Sequence, residues 1–145
     1  MRKIFVSALV ALALASMAHG QTPARLDANT ATAAELAAVK DIPAATAQTI
    51  LAKRPFANTA AFDAAAGAGL SGEQKSALYS NVFVPIDLNK ASREEIMLIP
   101  GMTRRMAHEF EEYRPYASLA QFDKEIGKYV DAAEVSRLRS YVVLK

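Results

Sequence analysis

Two short stretches of this chain combine a backbone break, a hydroxyl and the expected start of a helix. They are Gly69-Leu70-Ser71 and Gly101-Met102-Thr103, the second followed at once by Arg104 and Arg105. Residues of these types at this spacing suit the capture of an anion. The first amides of a helix have no intrahelical acceptor, and the positive end of the helix dipole lies over them. Glycine lets the backbone approach closely, and arginine adds charge-assisted donors. Arg104 and Arg105 are placed against the dipole of their own helix, as are Glu111 and Glu112 near its end, at a cost of about 0.3–1 kcal/mol each. The Arg105–Glu109 pair also has the weaker i, i+4 order. An anion held beside the turn would offset the arginine placement.

No catalytic constellation accompanies these residues. Past the first twenty residues the chain has one histidine, His108, one turn before Glu112 and expected to form a surface pair with it. No HExxH motif and no paired Cys/His spacing is present, so neither a metal site nor a cofactor is expected. The chain is not expected to be an enzyme.

The elements that must position the turns are legible because the chain repeats itself at a spacing of sixty residues without a gap. Asp27 to Glu35 aligns with Asp87 to Glu95, Arg54-Pro55-Phe56 with Arg114-Pro115-Tyr116, Phe62-Asp63 with Phe122-Asp123, and Leu78 with Leu138. Two copies of one folding unit are expected. Each opens on a capping box, Thr32-Ala33-Ala34-Glu35 or Ser92-Arg93-Glu94-Glu95. The first helix is short, ending near Val39 or Ile99. A turn follows, then a longer helix whose apolar face in the second copy is Met106, Phe110 and Tyr113, and which stops at Arg54-Pro55 or Arg114-Pro115. A third helix, starting after Thr59 or Ser118, carries Phe62 or Phe122 into the core. The fourth opens at Ser71-Gly72-Glu73-Gln74 or Asp131-Ala132-Ala133-Glu134. Leu78, Val82, Leu138 and Val142 face the core. Val82-Phe83-Val84 and Val142-Val143-Leu144 are too short and isolated to be assigned as strands. The expected fold is all-α: two tandem four-helix units, 21–84 and 85–145.

A segment at 1–20 precedes them. Met1-Arg2-Lys3 is basic, Ile4 to Ala15 is apolar but too short to span a bilayer, and Ala18-His19-Gly20 supplies a small-residue exit. This pattern is that of a cleavable signal peptide, which places the chain in the periplasm or outside the cell. With no cysteine, the fold rests on packing alone. The net charge of +2 belongs to the precursor: without Arg2 and Lys3, fifteen basic residues face fifteen acidic ones. The working chain therefore has no global field to attract a polyanion, and any nucleic-acid binding depends on local geometry. The Val84-Pro85 join is short, so the copies should lean on each other.

Asp87-Leu88-Asn89-Lys90-Ala91-Ser92, Glu95-Ile96 and Leu98-Ile99-Pro100-Gly101-Met102-Thr103 together resemble the helix-hairpin-helix domain of ComEA-like competence proteins. Tyr113-Arg114 and Leu119 with Phe122 continue the likeness, which covers both copies. The resemblance implies tandem helix-hairpin-helix domains and a secreted or membrane-tethered receptor that hands DNA to an uptake machine. Duplex DNA would be held by its phosphates, without sequence preference, and a protein of the uptake machine would be a second partner. On this reading Gly101, Met102, Thr103, Arg104 and Arg105 hold one phosphate, Gly69, Leu70 and Ser71 hold another, and Arg114, Arg137 and Arg139 are candidates to extend a basic strip.

The chain departs from the family pattern unevenly. Thr103 stands where the second glycine of the hairpin is expected. The first copy reads Asp41-Ile42-Pro43 there, with a repelling carboxylate and one amide lost to proline. At the second turn the first copy keeps Gly69-Leu70-Ser71 and the second has Tyr129-Val130-Asp131, a poor phosphate cradle. Helix-hairpin-helix domains resembling ComEA also act as extrinsic subunits of the photosynthetic oxygen-evolving complex, so a protein-interaction or structural module that no longer binds DNA is the alternative.

Overall fold

The computed structural model describes residues 25–145; the segment read as a signal peptide lies outside them. The elements occur twice in the same order. In the first copy they are β1 (Leu26–Asp27), α1 (Ala33–Ala38), α2 (Ala44–Lys53), α3 (Thr59–Ala66), α4 (Gly72–Asn81) and β2 (Val82–Phe83). In the second they are β3 (Ile86–Asp87), α5 (Arg93–Ile96), α6 (Arg104–Glu112), α7 (Leu119–Ile126), α8 (Ala132–Arg139) and β4 (Val142–Val143). The architecture is mostly helical, with one correction to the sequence reading. Val82–Phe83 and Val142–Val143 are strands. Each pairs in parallel with the opening residues of its own copy, Leu26 opposite Val82 and Ile86 opposite Val142. Each pair clips the end of a copy to its beginning.

Capping fixes where the helices start. Thr32, Ser71 and Ser92 each accept the N3 amide while the Glu35, Gln74 or Glu95 side chain takes the cap amide in return. Asp131 caps α8 by accepting from the Glu134 amide at 2.8 Å. Asn58 rather than Thr59 caps α3. Thr59 lies inside the helix and donates its buried hydroxyl to the Val84 carbonyl at 2.9 Å.

The repeated polar residues lock the copies internally. Asn29 donates to the Phe56 carbonyl at 3.0 Å and accepts from the Phe56 amide at 2.7 Å. Asn89 does the same with Tyr116, at 3.0 and 2.7 Å. Arg54 donates to the Ala31 carbonyl at 2.6 Å, and Arg114 to those of Ala91, at 2.8 Å, and Leu88. A buried backbone group left without such a partner would cost about 1–3 kcal/mol, so these residues recur because each copy needs them to close.

Phe62 and Phe122 are wholly buried, as expected. Phe62 contacts Phe56, Tyr79 and Phe83, and Phe122 contacts Phe110 and Tyr116, all at ring-centroid distances of 5.0–6.4 Å. Phe83, in the aromatic cluster of the first copy, meets Tyr141 of the second copy edge-on at 4.9 Å. Arg25 stacks its guanidinium 3.3 Å from the centre of the Tyr141 ring and donates to the Ser80 carbonyl at 3.1 Å. The copies do pack against each other.

Candidate functional site

The turn before α6 is built from Ile99 to Thr103. Gly101 takes φ +75°, which L side chains rarely adopt, and the Met102 amide donates to the Ile99 carbonyl at 3.0 Å. Thr103 caps the helix by accepting the Met106 amide at 3.1 Å. At α1, α4 and α5 an N3 glutamate or glutamine turns back onto the cap amide; here N3 is Met106, which has no acceptor for that purpose. The Thr103 amide consequently has no acceptor among the described residues, and the Arg104 and Arg105 amides have none either, as is usual for the first amides of a helix. All three residues are exposed, and so is Gly101; Met102 is half-buried against the core.

Neither Arg104 nor Arg105 forms an ion pair among the described residues. The Arg105–Glu109 pair expected from the sequence does not close. Arg105 instead extends toward the Tyr129 ring, 5.9 Å from its centre. At the far end of α6, Glu111 is held by Arg93, 2.8 Å from its Nε, and Glu112 lies 3.4 Å from His108 Nε2. The acidic residues at the helix end are thus partnered, while the two arginines at its start are not.

A shallow groove of about 360 Å³ runs from this helix start to the α7–α8 turn, lined by Thr103, Arg105, Met106, Glu109, Lys128 and Tyr129. The Tyr129 hydroxyl lies 2.8 Å from that of Tyr113, and Lys128 Nζ sits 5.0 Å above the Tyr113 ring. Hydrogen bonding to Tyr113, and then to Glu109, pushes the Tyr129 phenol upward, so it stays protonated at any physiological pH. Its hydrogen bond to Glu125 likewise raises Lys128, which stays charged. Sequence reasoning missed Lys128 and Tyr129. Their turn is a poor backbone cradle, with the Tyr129 amide spent on the Ile126 carbonyl at 3.0 Å. Its side chains nevertheless form the second wall of the groove.

Gly69-Leu70-Ser71 has the expected left-handed glycine, at φ +77°. Two of its three amides are already engaged, Leu70 with the Gly67 carbonyl at 3.1 Å and Ser71 with the Gln74 side chain at 3.0 Å. Glu73 adds a carboxylate to the first turn of α4. Among the described residues no hydrogen bond or ion pair joins this turn to the Gly101–Arg105 turn. The first copy's counterpart of the α6 turn keeps the shape without the chemistry. Asp41 adopts φ +66°, Pro43 caps without a hydrogen bond, and Ala44 and Ala45 replace the arginines.

The basic strip is corrected. Arg114 turns inward onto two carbonyls, Arg139 pairs with Asp123, and Arg137 pairs with Glu134 at 2.7 Å. Arg137 also donates from Nη1 to the Pro100 carbonyl at 2.9 Å, which props the turn before α6. Their charges are committed because each meets an acceptor that packing brings to it.

Among the described residues no group of three or more His, Cys, Asp and Glu is arranged to hold a metal, and no helix is long and apolar enough to cross a membrane. What α6 offers is anion capture: three bare amides at the positive end of a nine-residue helix, with two guanidinium groups beside them. No protein-family model, no curated protein and no solved structure matches this chain.

Proposed function

We propose that this is a periplasmic or secreted nucleic-acid-binding module made of two tandem helix-hairpin-helix domains, whose second copy grips the phosphate backbone of duplex DNA without sequence preference. One observation carries the reading: among the described residues the Thr103, Arg104 and Arg105 amides lack acceptors, and both arginines beside them lack ion partners. A phosphate at the turn would take the amides as acceptor-poor donors and relieve the two cations held at the positive end of α6. Lys128 lines the far wall of the groove, but its Nζ is already paired with Glu125, so it would reach a neighbouring phosphate only by leaving that partner. Gly69, Leu70 and Ser71 contribute more weakly, since only the Gly69 amide of that turn is uncommitted among the described residues. Contacts of this kind go to the backbone and are salt-dependent. No catalysis, metal or cofactor belongs to the reading.

The test is a salt titration of the purified protein against random-sequence duplex. The logarithm of affinity should fall linearly with the logarithm of salt, at about 0.9 per phosphate neutralised. Arg104→Ala with Arg105→Ala should weaken binding and flatten that slope. An unchanged slope in the double variant removes the site, and absence of binding by the intact protein removes the function.

A second reading is a protein-interaction or structural module on the same scaffold. It is favoured by Arg114, Arg137 and Arg139, which spend their charge within the chain. It predicts a partner recovered from periplasmic extract that survives nuclease treatment; loss of the partner after nuclease counts against it.

A further inference from the structure

The two copies act as controls for each other, and at one place they differ in a way that points to a ligand. In the first copy Asp63, on α3, takes two donors from α4. Lys75 Nζ donates to its Oδ1 at 2.9 Å, and the Tyr79 hydroxyl donates to the same oxygen. Tyr79 lies so close over Gly67 that a methyl group added there would run into its hydroxyl. In the second copy the register partners of Lys75 and Tyr79 are Val135 and Arg139. Arg139 donates to Asp123 Oδ2, and Asp123 Oδ1 has no donor among the described residues. Above Gly127 the nearest side-chain atom is Val135 Cγ2, at 3.7 Å from an added methyl. The result is an open cleft of about 410 Å³ between α7 and α8, lined by Asp123, Gly127, Val130, Val135, Ser136 and Arg139 among others. A volume of roughly 300–1,000 Å³ is usual for small-molecule sites.

We propose that this cleft binds a phenolic group, its hydroxyl donating to the Asp123 carboxylate and its ring lying on Val130 and Val135 against the Arg139 guanidinium. A carboxylate accepts about four hydrogen bonds, and Asp123 receives one from the described residues. Arg139 already neutralises it, so a second cation would leave uncompensated charge, whereas a neutral O–H donor leaves none. The guanidinium plane favours an aromatic ring over an alkyl chain. Tyr79 in the first copy is the same donor on the same carboxylate, supplied from within. Asp123 Oδ1 itself is covered, but the side chain is 31% exposed, so the donor meets Oδ2 directly or Oδ1 after a small carboxyl rotation. The site is independent of the α6 turn.

The experiment titrates the purified protein with p-cresol while the backbone amide signal of Gly127 is followed by nuclear magnetic resonance. A saturable shift is expected, with p-methylanisole, which has no donor, binding about tenfold more weakly. Arg139→Tyr supplies the hydroxyl internally and should abolish the shift. Ser136→Trp, at an exposed position, should block the cleft without altering the carboxylate. An acetylated, amidated Gly-Tyr-Gly peptide separates the two sources of a phenol. Tighter binding than p-cresol assigns the cleft to a tyrosine of a protein partner, and equal or weaker binding to a free phenol. No saturable shift, equal binding of p-methylanisole, or a shift that persists in both variants would overturn the proposal.

Discussion

Arg137 reaches from α8 to the Pro100 carbonyl, 2.9 Å from its Nη1, so the last helix of the second copy holds the turn that opens α6. Its own charge is spent on Glu134, whose hydrogen bond is the main cause that raises the guanidinium above its usual range. Arg137 is therefore a positioning residue rather than a phosphate ligand. Arg137→Met should lower stability by about 1 kcal/mol, the worth of an ordinary hydrogen bond, and weaken duplex binding. The salt slope should stay as in the unaltered protein. Arg104→Ala and Arg105→Ala should flatten that slope instead, so a flattened slope in Arg137→Met would show that Arg137 touches phosphate itself.

The uncommitted Thr103 amide has a simple chemical counter-test. Met106→Gln places at N3 the group that closes the capping box at Ser71 through Gln74. The new side chain should take the Thr103 amide and hold α6 more firmly. The lost methionine packing, about 1 kcal/mol at this half-buried position, offsets that gain. Duplex affinity should fall although no charge has changed. Thermal denaturation and a binding isotherm on the same preparation check this, and undiminished affinity would mean that the Thr103 amide is not a contact.

How far the sequence reveals this molecule depends on how local each signal is. Thr32 with Glu35 and Ser92 with Glu95 are legible because a capping box is complete within four residues. Phe62 and Phe122 are legible because the repeat places an aromatic at one core position twice. The β1–β2 pair is not, since Leu26 and Val82 stand at opposite ends of a copy and neither segment is long enough to reveal itself alone. Arg114, Arg137 and Arg139 read as a basic strip because sequence gives charge without the carbonyl or carboxylate it will meet. Lys128 and Tyr129 were hidden for the complementary reason. Their place beside Arg105 is decided by how α6 packs against the α7–α8 turn.

The Asn29 and Asn89 locks should be structural and separable from binding. Asn89→Ala leaves the Tyr116 amide without its 2.7 Å acceptor and the Tyr116 carbonyl without its donor. A loss of about 1–3 kcal/mol is expected for a half-buried backbone group left unpaired. Asn29→Ala should cost a similar amount through Phe56. Denaturant unfolding measures both losses. Asn29→Ala should leave duplex affinity unchanged under conditions where the protein remains folded, because its lock lies in the copy whose α2 turn carries Asp41 and Pro43 rather than arginines.

Acid should unfold the first copy through Asp63. Burial pushes its carboxyl upward, but hydrogen bonds from Tyr79 and Lys75 and the Lys75 charge outweigh burial and hold it below the usual aspartate range. The unfolded chain binds that proton first as pH falls, so the Asp63 contribution is complete above the ordinary aspartate value of about 3.9 and is lost progressively as pH drops through the lower folded value. Stability measured by urea unfolding from neutral pH downward should show an acid limb that Asp63→Asn makes shallower. Tyr79→Phe removes one of the two donors to Oδ1 and should bring the limb to higher pH, since the carboxyl is then less well held. An acid limb that is identical in Asp63→Asn and the unaltered protein would mean that the Tyr79–Asp63–Lys75 cluster does not persist in solution.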